Sequence, residues 1–185
     1  RKFLSDTAYF AWQRERLSAT ALEQLAAHVE RKRSGHRVDE IAFYDLTARP
    51  DILPVLYSQR YDYYGEVGRR VADAIGNAAT VLDVGCGVGI LTTFYARRFP
   101  HLTFVGVDRS PSSLAIAAAK ANELGLRNVR FECRDLERAP VSGSYDVVVA
   151  THALVQAEFD PGIPSADWRT FKRRHEPDRQ ADFER

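Results

Sequence analysis

Apolar and polar positions along this chain repeat with two different periods. Phe10, Leu17, Leu22, Leu25 and Val29 recur at near-helical intervals, which predicts a long N-terminal helical segment that Asp6 can cap. A second helical piece is expected over about Val38 to Leu46, ending before Pro50 and Pro54. The stretch from Tyr57 to Gly76 brings four tyrosines and a third helix, which Gly76 stops. Then the pattern changes. Short apolar runs begin at Thr80, Leu102, Asn128 and Tyr145, each short enough to be a buried strand. Between the second and third runs lies a clearly punctuated helix. Ser110 is its N-cap, Pro111 takes the first helical position and Gly125 gives the left-handed stop. Leu114, Ala117, Ala121 and Leu124 fall on one face of it. Strands alternating with helices predict an α/β fold with a parallel sheet.

The most informative stretch is TVLDVGCGVG, from Thr80 to Gly89. A strand ends here in Gly85, Gly87 and Gly89, which let the backbone turn tightly and bring main-chain N–H groups close to a ligand. Ligands of parallel sheets bind beyond the carboxyl ends of the strands. Three acids stand at such ends: Asp83, Asp108 and Asp135. Asp108 follows the glycines at about the 20-residue separation expected of a ribose-binding carboxylate. The spacing here is G-x-G-x-G, whereas dinucleotide loops run G-x-G-x-x-G with a pyrophosphate at the helix N-terminus. An acid beside the loop would repel that pyrophosphate.

Four strings in this order, LDVGCGVG, GVDRSPSSL, GLRNVRFECRDLE and YDVVVATHAL, resemble the class I S-adenosylmethionine-dependent methyltransferases. The resemblance covers about Tyr57 to Leu154. It implies a Rossmann-like, doubly wound, mostly parallel sheet, with S-adenosyl-L-methionine as cofactor. Carried over residue by residue, it puts Gly85, Cys86, Gly87 and Gly89 beside the methionine part of the cofactor, with Asp83 helping to hold its amino end. Asp108 would accept hydrogen bonds from the ribose hydroxyls, and Arg109 would lie beside the adenine face. Asp135 and Leu136 would meet the adenine edge. Thr151 and His152 would sit near the reactive methyl group. The implied reaction is in-line displacement of that methyl onto an acceptor. Thr-His after the fourth strand differs from the Asn/Asp-Pro-Pro-Tyr/Phe signature of many amino methyltransferases acting on adenine or glutamine, which favours a small-molecule or other O-, C- or N-acceptor without identifying one. No metal is expected.

Each residue also has a plainer reading. Asp83, Asp108 and Asp135 can cap loops at strand ends. Cys86 fills a small-residue slot rather than acting as a nucleophile. His152 is a candidate general base, because imidazole titrates near neutrality, or a side chain packed beside the pocket. Tyr57, Tyr61, Tyr63 and Tyr64 either wall the pocket, where aromatic faces favour a sulfonium cation, or join helices to the core. Two other functions stay open: a non-catalytic member of the fold that binds cofactor or a partner, and a nicotinamide-dependent oxidoreductase.

Composition narrows the setting. The 185 residues are 45% hydrophobic and 28% charged, with a formal net charge of +1, so there is no general pull toward nucleic acid. The basic clusters at Arg31–Arg37 and Lys172–His175 read as solvated faces, the first closing a helix. No apolar run is long enough to span a bilayer, and the two cysteines give no disulfide framework. A cytoplasmic protein is the simplest expectation. Its organisation is read as an N-terminal helical extension over 1–56, the cofactor-binding core over 57–154, and a loop with a polar helix over 155–185. Within that last segment no strand is expected, whereas a full fold of this class continues with three more. The fourth strand would then be an uncovered edge, so the C-terminal strands are expected to be missing from this chain.

Overall fold

A computed structural model describes residues 3, 5–32, 36–58, 61–76, 78–136 and 138–151. The N-terminal third is helical, but not as one long helix. Helix α1 covers Asp6–Arg16 and α2 covers Ala19–Lys32. Two serines account for the break. Ser5, not Asp6, caps α1 by accepting the Ala8 N–H at 3.2 Å. Ser18 accepts the Ala21 N–H at 3.2 Å and starts α2 after Leu17 has turned to extended backbone. Helix α3 spans Arg37–Thr47 and α4 spans Leu53–Ser58. Pro54 sits in the first turn of α4, where its missing N–H costs no helical bond. Leu17, Ala21, Leu25, Ile52 and Val55 bury against one another and give these helices a small core of their own. Tyr9, fully buried beside them, donates its hydroxyl to the Val55 carbonyl at 3.3 Å.

Helix α5, Tyr61–Ile75, leads into the sheet and ends before Gly76, which has φ +56°. Strand β1 is Thr80–Val84, α6 is Ile90–Arg98, β2 is Thr103–Asp108, α7 is Pro111–Glu123, β3 is Val129–Cys133 and β4 is Val147–Val149. The expected punctuation of α7 is present: the Ser110 hydroxyl accepts the Ser113 N–H, Pro111 opens the helix and Gly125 has φ +66°.

All strand pairs are parallel and their order is β3-β2-β1-β4. The period of two in β1 sorts its side chains between two faces. Val81 joins Phe104, Val149, Ala72, Leu91 and Tyr95 in the main core, whereas Leu82 joins Val105 and Val107 on the other side. Chain order reverses between β1 and β4, since β2 and β3 lie to one side of β1 and β4 to the other. Such a reversal opens a crevice at the carboxyl ends of the strands, where the loop after β1 lies. At the edge, β4 leaves Val148 60% exposed, as expected of a strand with no further neighbour among the described residues. Residues 152–185, including the loop and polar helix expected over 155–185, lie outside the described residues.

Candidate cofactor site

The loop from Gly85 to Gly89 is folded back onto the end of β2. The Gly85 and Cys86 N–H groups both donate to the Val107 carbonyl, at 2.8 and 3.1 Å, and the Gly89 N–H closes the turn on the Cys86 carbonyl at 3.0 Å. Gly89 has φ +72° and is the residue before α6. A Cβ there would come within 2.7 Å of the Ala117 Cβ, so glycine is required both for conformation and for packing against α7. Cys86 fills the space over Gly106 in β2, where a Cβ would meet its sulfur at 2.9 Å. Burial raises the pKa of the Cys86 thiol, with Asp83 and Asp108 pushing the same way. It is a packing residue and no thiolate nucleophile.

Asp108 sits at the end of β2 and anchors the loop. One carboxylate oxygen accepts the Gly87 N–H at 2.9 Å and the other accepts the Ser110 N–H at 2.9 Å. Its position is thus set from both sides, while each oxygen keeps a lone pair for another donor.

Asp83 is 4% exposed at the end of β1. It does not face an open mouth. Its carboxylate is turned onto α6, where it accepts the Thr92 hydroxyl at 2.6 Å. Burial pushes its pKa up to about 6, the Thr92 bond opposes that rise, and the nearby Asp108 charge adds to it. One turn along α6 lies Tyr95, fully buried, its hydroxyl without a hydrogen-bond partner among the described residues. Burial raises its pKa, and Asp83 and Tyr63 contribute in the same direction. Tyr95, a member of the main core, thus lies close enough to Asp83 to feel its charge.

Aromatic residues gather on the same side. Tyr57 and Tyr64 stack with ring centroids 5.7 Å apart, and Tyr63 meets Tyr64 edge-on at 5.6 Å. A Cβ on Gly87 would lie 3.7 Å from the Tyr57 hydroxyl, which sets that tyrosine beside the loop. Tyr61 opens α5, and its side chain lies outside the described residues.

Arg109 and Asp135 are both engaged by α3. Arg109 pairs with Glu40, and Asp135 pairs with Arg37. Leu136 is 38% exposed next to Asp135, and Thr151 is half-buried beyond β4. His152 lies outside the described residues. The fold therefore brings Asp83, the glycine loop and Asp108 together at the carboxyl ends of β1 and β2, with Asp83 turned inward onto Thr92, and Arg109 and Asp135 follow β2 and β3 beside them. Glu40 and Arg37 were missed, because nothing local distinguishes them from surface charges in the first turn of a helix.

Comparison with known proteins agrees with this geometry. Residues 81–172 match a family model described as a methyltransferase domain. A malonyl-[acyl-carrier protein] O-methyltransferase of Acetivibrio thermocellus is 31% identical over 101 residues, covering 50% of this chain and 35% of that protein. A trans-aconitate 2-methyltransferase of Deinococcus radiodurans is 38% identical over 90 residues, covering 49% of this chain and 33% of that protein. The chain thus spans about a third of the length of these relatives. Among solved structures, the S-adenosylmethionine-dependent methyltransferase SibL in its apo form aligns with a TM-score of 0.52 and 22% identity. That alignment covers 80% of this chain and 46% of SibL, and it shows the shared fold.

Proposed function

We propose that this protein, whose residues 81–172 match a methyltransferase domain, is a class I S-adenosylmethionine-dependent methyltransferase acting on a small-molecule acceptor. The observation that carries the reading is the double tether of Asp108, to Gly87 in the glycine loop and to Ser110 at the start of α7. It holds a ribose-type carboxylate and the loop as one unit, and it takes up the Gly87 N–H that a pyrophosphate would need as a donor.

The residues present fit the cofactor. The two Asp108 oxygens retain acceptor capacity for vicinal hydroxyls. Asp83, ionised above about pH 6, supplies a buried negative charge for an ammonium group. Tyr57, backed by the stacked Tyr64, brings an aromatic ring beside Gly87 that would favour a cation there. Arg109, Asp135 and Leu136 serve the adenine end, and Thr151 lines the side toward the acceptor. When bound, S-adenosylmethionine supplies a sulfonium-activated methyl group that an acceptor takes by in-line displacement. The protein's own task is orientation and exclusion of water. Two of the relatives are named for malonyl and trans-aconitate substrates. If the acceptor here is likewise a carboxylate, its O-methylation would need no strong base, and His152 would be a base only for an acceptor that must lose a proton.

We place the protein in the cytoplasm. Cys86 and Cys133 are free thiols, and among the described residues no helix is long and apolar enough to cross a membrane.

Calorimetric titration of the full-length protein with S-adenosylmethionine, S-adenosylhomocysteine and NADH tests the reading. Saturable binding of the first two and none of the third is expected. Tight NADH binding, or no binding of either sulfur ligand, would overturn it.

A further inference from the structure

Helix α3 is tied to the core at three points, each just beyond the carboxyl end of a strand. Arg37 pairs with Asp135 after β3, and Glu40 pairs with Arg109 directly after β2. Asp45 accepts the Ser110 hydroxyl at 2.7 Å and the Ser112 N–H at 3.3 Å at the start of α7. Positions 37, 40 and 45 lie within one face of a helix at 3.6 residues per turn. The three ties follow the β2–β3 half of the sheet, where the proposed adenosine-binding residues stand.

Glu40 is the central tie. It is 3% exposed, and a carboxylate so deeply buried needs a partner to remain charged. Arg109 supplies one while its own side chain is only 22% exposed. A guanidinium held by its edge is fixed in orientation and can still stack through its face, which suits a planar base. Without that pair, Arg109 would be a long, freely rotating chain beside the ribose acid.

Resting on the methyltransferase reading above, we propose that α3 forms a wall of the adenosine pocket and that Glu40 is the positioning residue that sets Arg109 against the adenine. The N-terminal helices are then a working part of the cofactor site. Glu40 acts through Arg109 and contributes nothing to the methionine end.

The test uses S-adenosylhomocysteine and 5′-methylthioadenosine, which lacks the amino-acid end. Both are titrated into full-length unsubstituted protein, Glu40→Gln, Arg109→Gln and the double variant, each checked by thermal melting. Glu40→Gln is expected to weaken both ligands by the same factor, about tenfold. The double variant should bind no more weakly than Arg109→Gln alone, since the two residues act in series. A folded Glu40→Gln that binds methylthioadenosine like unsubstituted protein would overturn the proposal. So would additive losses in the double variant. Should Glu40→Gln not fold, undiminished methylthioadenosine binding by Arg109→Gln overturns it equally. Unsubstituted protein that binds neither ligand would instead overturn the cofactor reading, and this inference with it.

Discussion

Asp108 receives the Gly87 N–H at 2.9 Å from 21 residues away, so the acid proposed to bind ribose also holds the glycine loop in shape. The two roles are separable by substitution. Asp108→Ala removes both the loop tether and the proposed ribose acceptor. Charge-assisted hydrogen bonds contribute about 1.5–3 kcal/mol each, so loss of two predicts binding of S-adenosylhomocysteine weaker by about 100-fold or more. Asp108→Asn keeps an acceptor for one N–H and sets its amide against the other, so it should bind almost as poorly while melting closer to the unsubstituted protein. Calorimetry alongside thermal melting checks both. Equal affinity in all three proteins would remove Asp108 from the site.

The glycines differ in what they protect. At Gly89, φ is +72° and an added Cβ would lie 2.7 Å from the Ala117 Cβ. Gly89→Ala therefore combines left-handed strain with overpacking against α7, predicting a loss of about 3 kcal/mol. At Gly87, φ is +53°, but the nearest obstacle is the Tyr57 hydroxyl at 3.7 Å. Gly87→Ala should cost only about 1 kcal/mol of stability while weakening S-adenosylhomocysteine disproportionately, because its Cβ enters the crevice. Urea denaturation and calorimetry on both variants should rank them in opposite orders for stability and for binding.

What was readable in the sequence is local. Three glycines with positive φ, a serine cap and a proline in the first helical turn announce β1, the loop and α7 through neighbours in the chain. What was not readable depends on partners far away. Leu17 continues the apolar period of α1, which hid the break that Ser18 creates. Glu40 and Asp45 look like ordinary surface acids, yet their partners Arg109 and Ser110 stand 69 and 65 residues downstream. The position of Asp83 near the end of β1 follows from the apolar run, but its turn onto Thr92 follows from how α6 packs, which no periodicity encodes.

Outside the site, Asp146 binds the start of β4 to the start of β1. One of its oxygens accepts the Ala79 N–H at 3.0 Å, the Thr80 N–H at 2.8 Å and the Thr80 hydroxyl at 2.9 Å. These bonds hold its pKa below the ordinary carboxylate value. An acid with a lowered folded pKa stabilises the fold above its unfolded value, and that contribution disappears as pH falls through the folded one. Asp146→Ala should therefore melt below the unsubstituted protein at pH 7, with the gap closing in acid. A gap that stays constant down to pH 3 would show that the carboxylate charge plays no part.

Asp83 carries the opposite sign. Its folded pKa of about 6 lies above the ordinary 3.8, because burial penalises the charge more than the Thr92 bond favours it. The folded protein therefore holds this proton more tightly than the unfolded chain. That stabilisation is complete below about pH 4 and is lost as pH rises through 6. Asp83→Asn has no such proton to lose and keeps an acceptor for Thr92. Near pH 4 the two proteins should be similarly stable, and at pH 7 the variant should be ahead by roughly 2–3 kcal/mol. The unfavourable charge would be kept for binding. S-adenosylhomocysteine affinity should rise between pH 5 and 7 in the unsubstituted protein as Asp83 ionises, and stay low and flat in Asp83→Asn. Methylthioadenosine, with no ammonium group, should bind both proteins alike across that range. Denaturation curves that run parallel from pH 4 to 7 would mean that Asp83 ionises normally, and the case for a strained acid at the methionine end would fall.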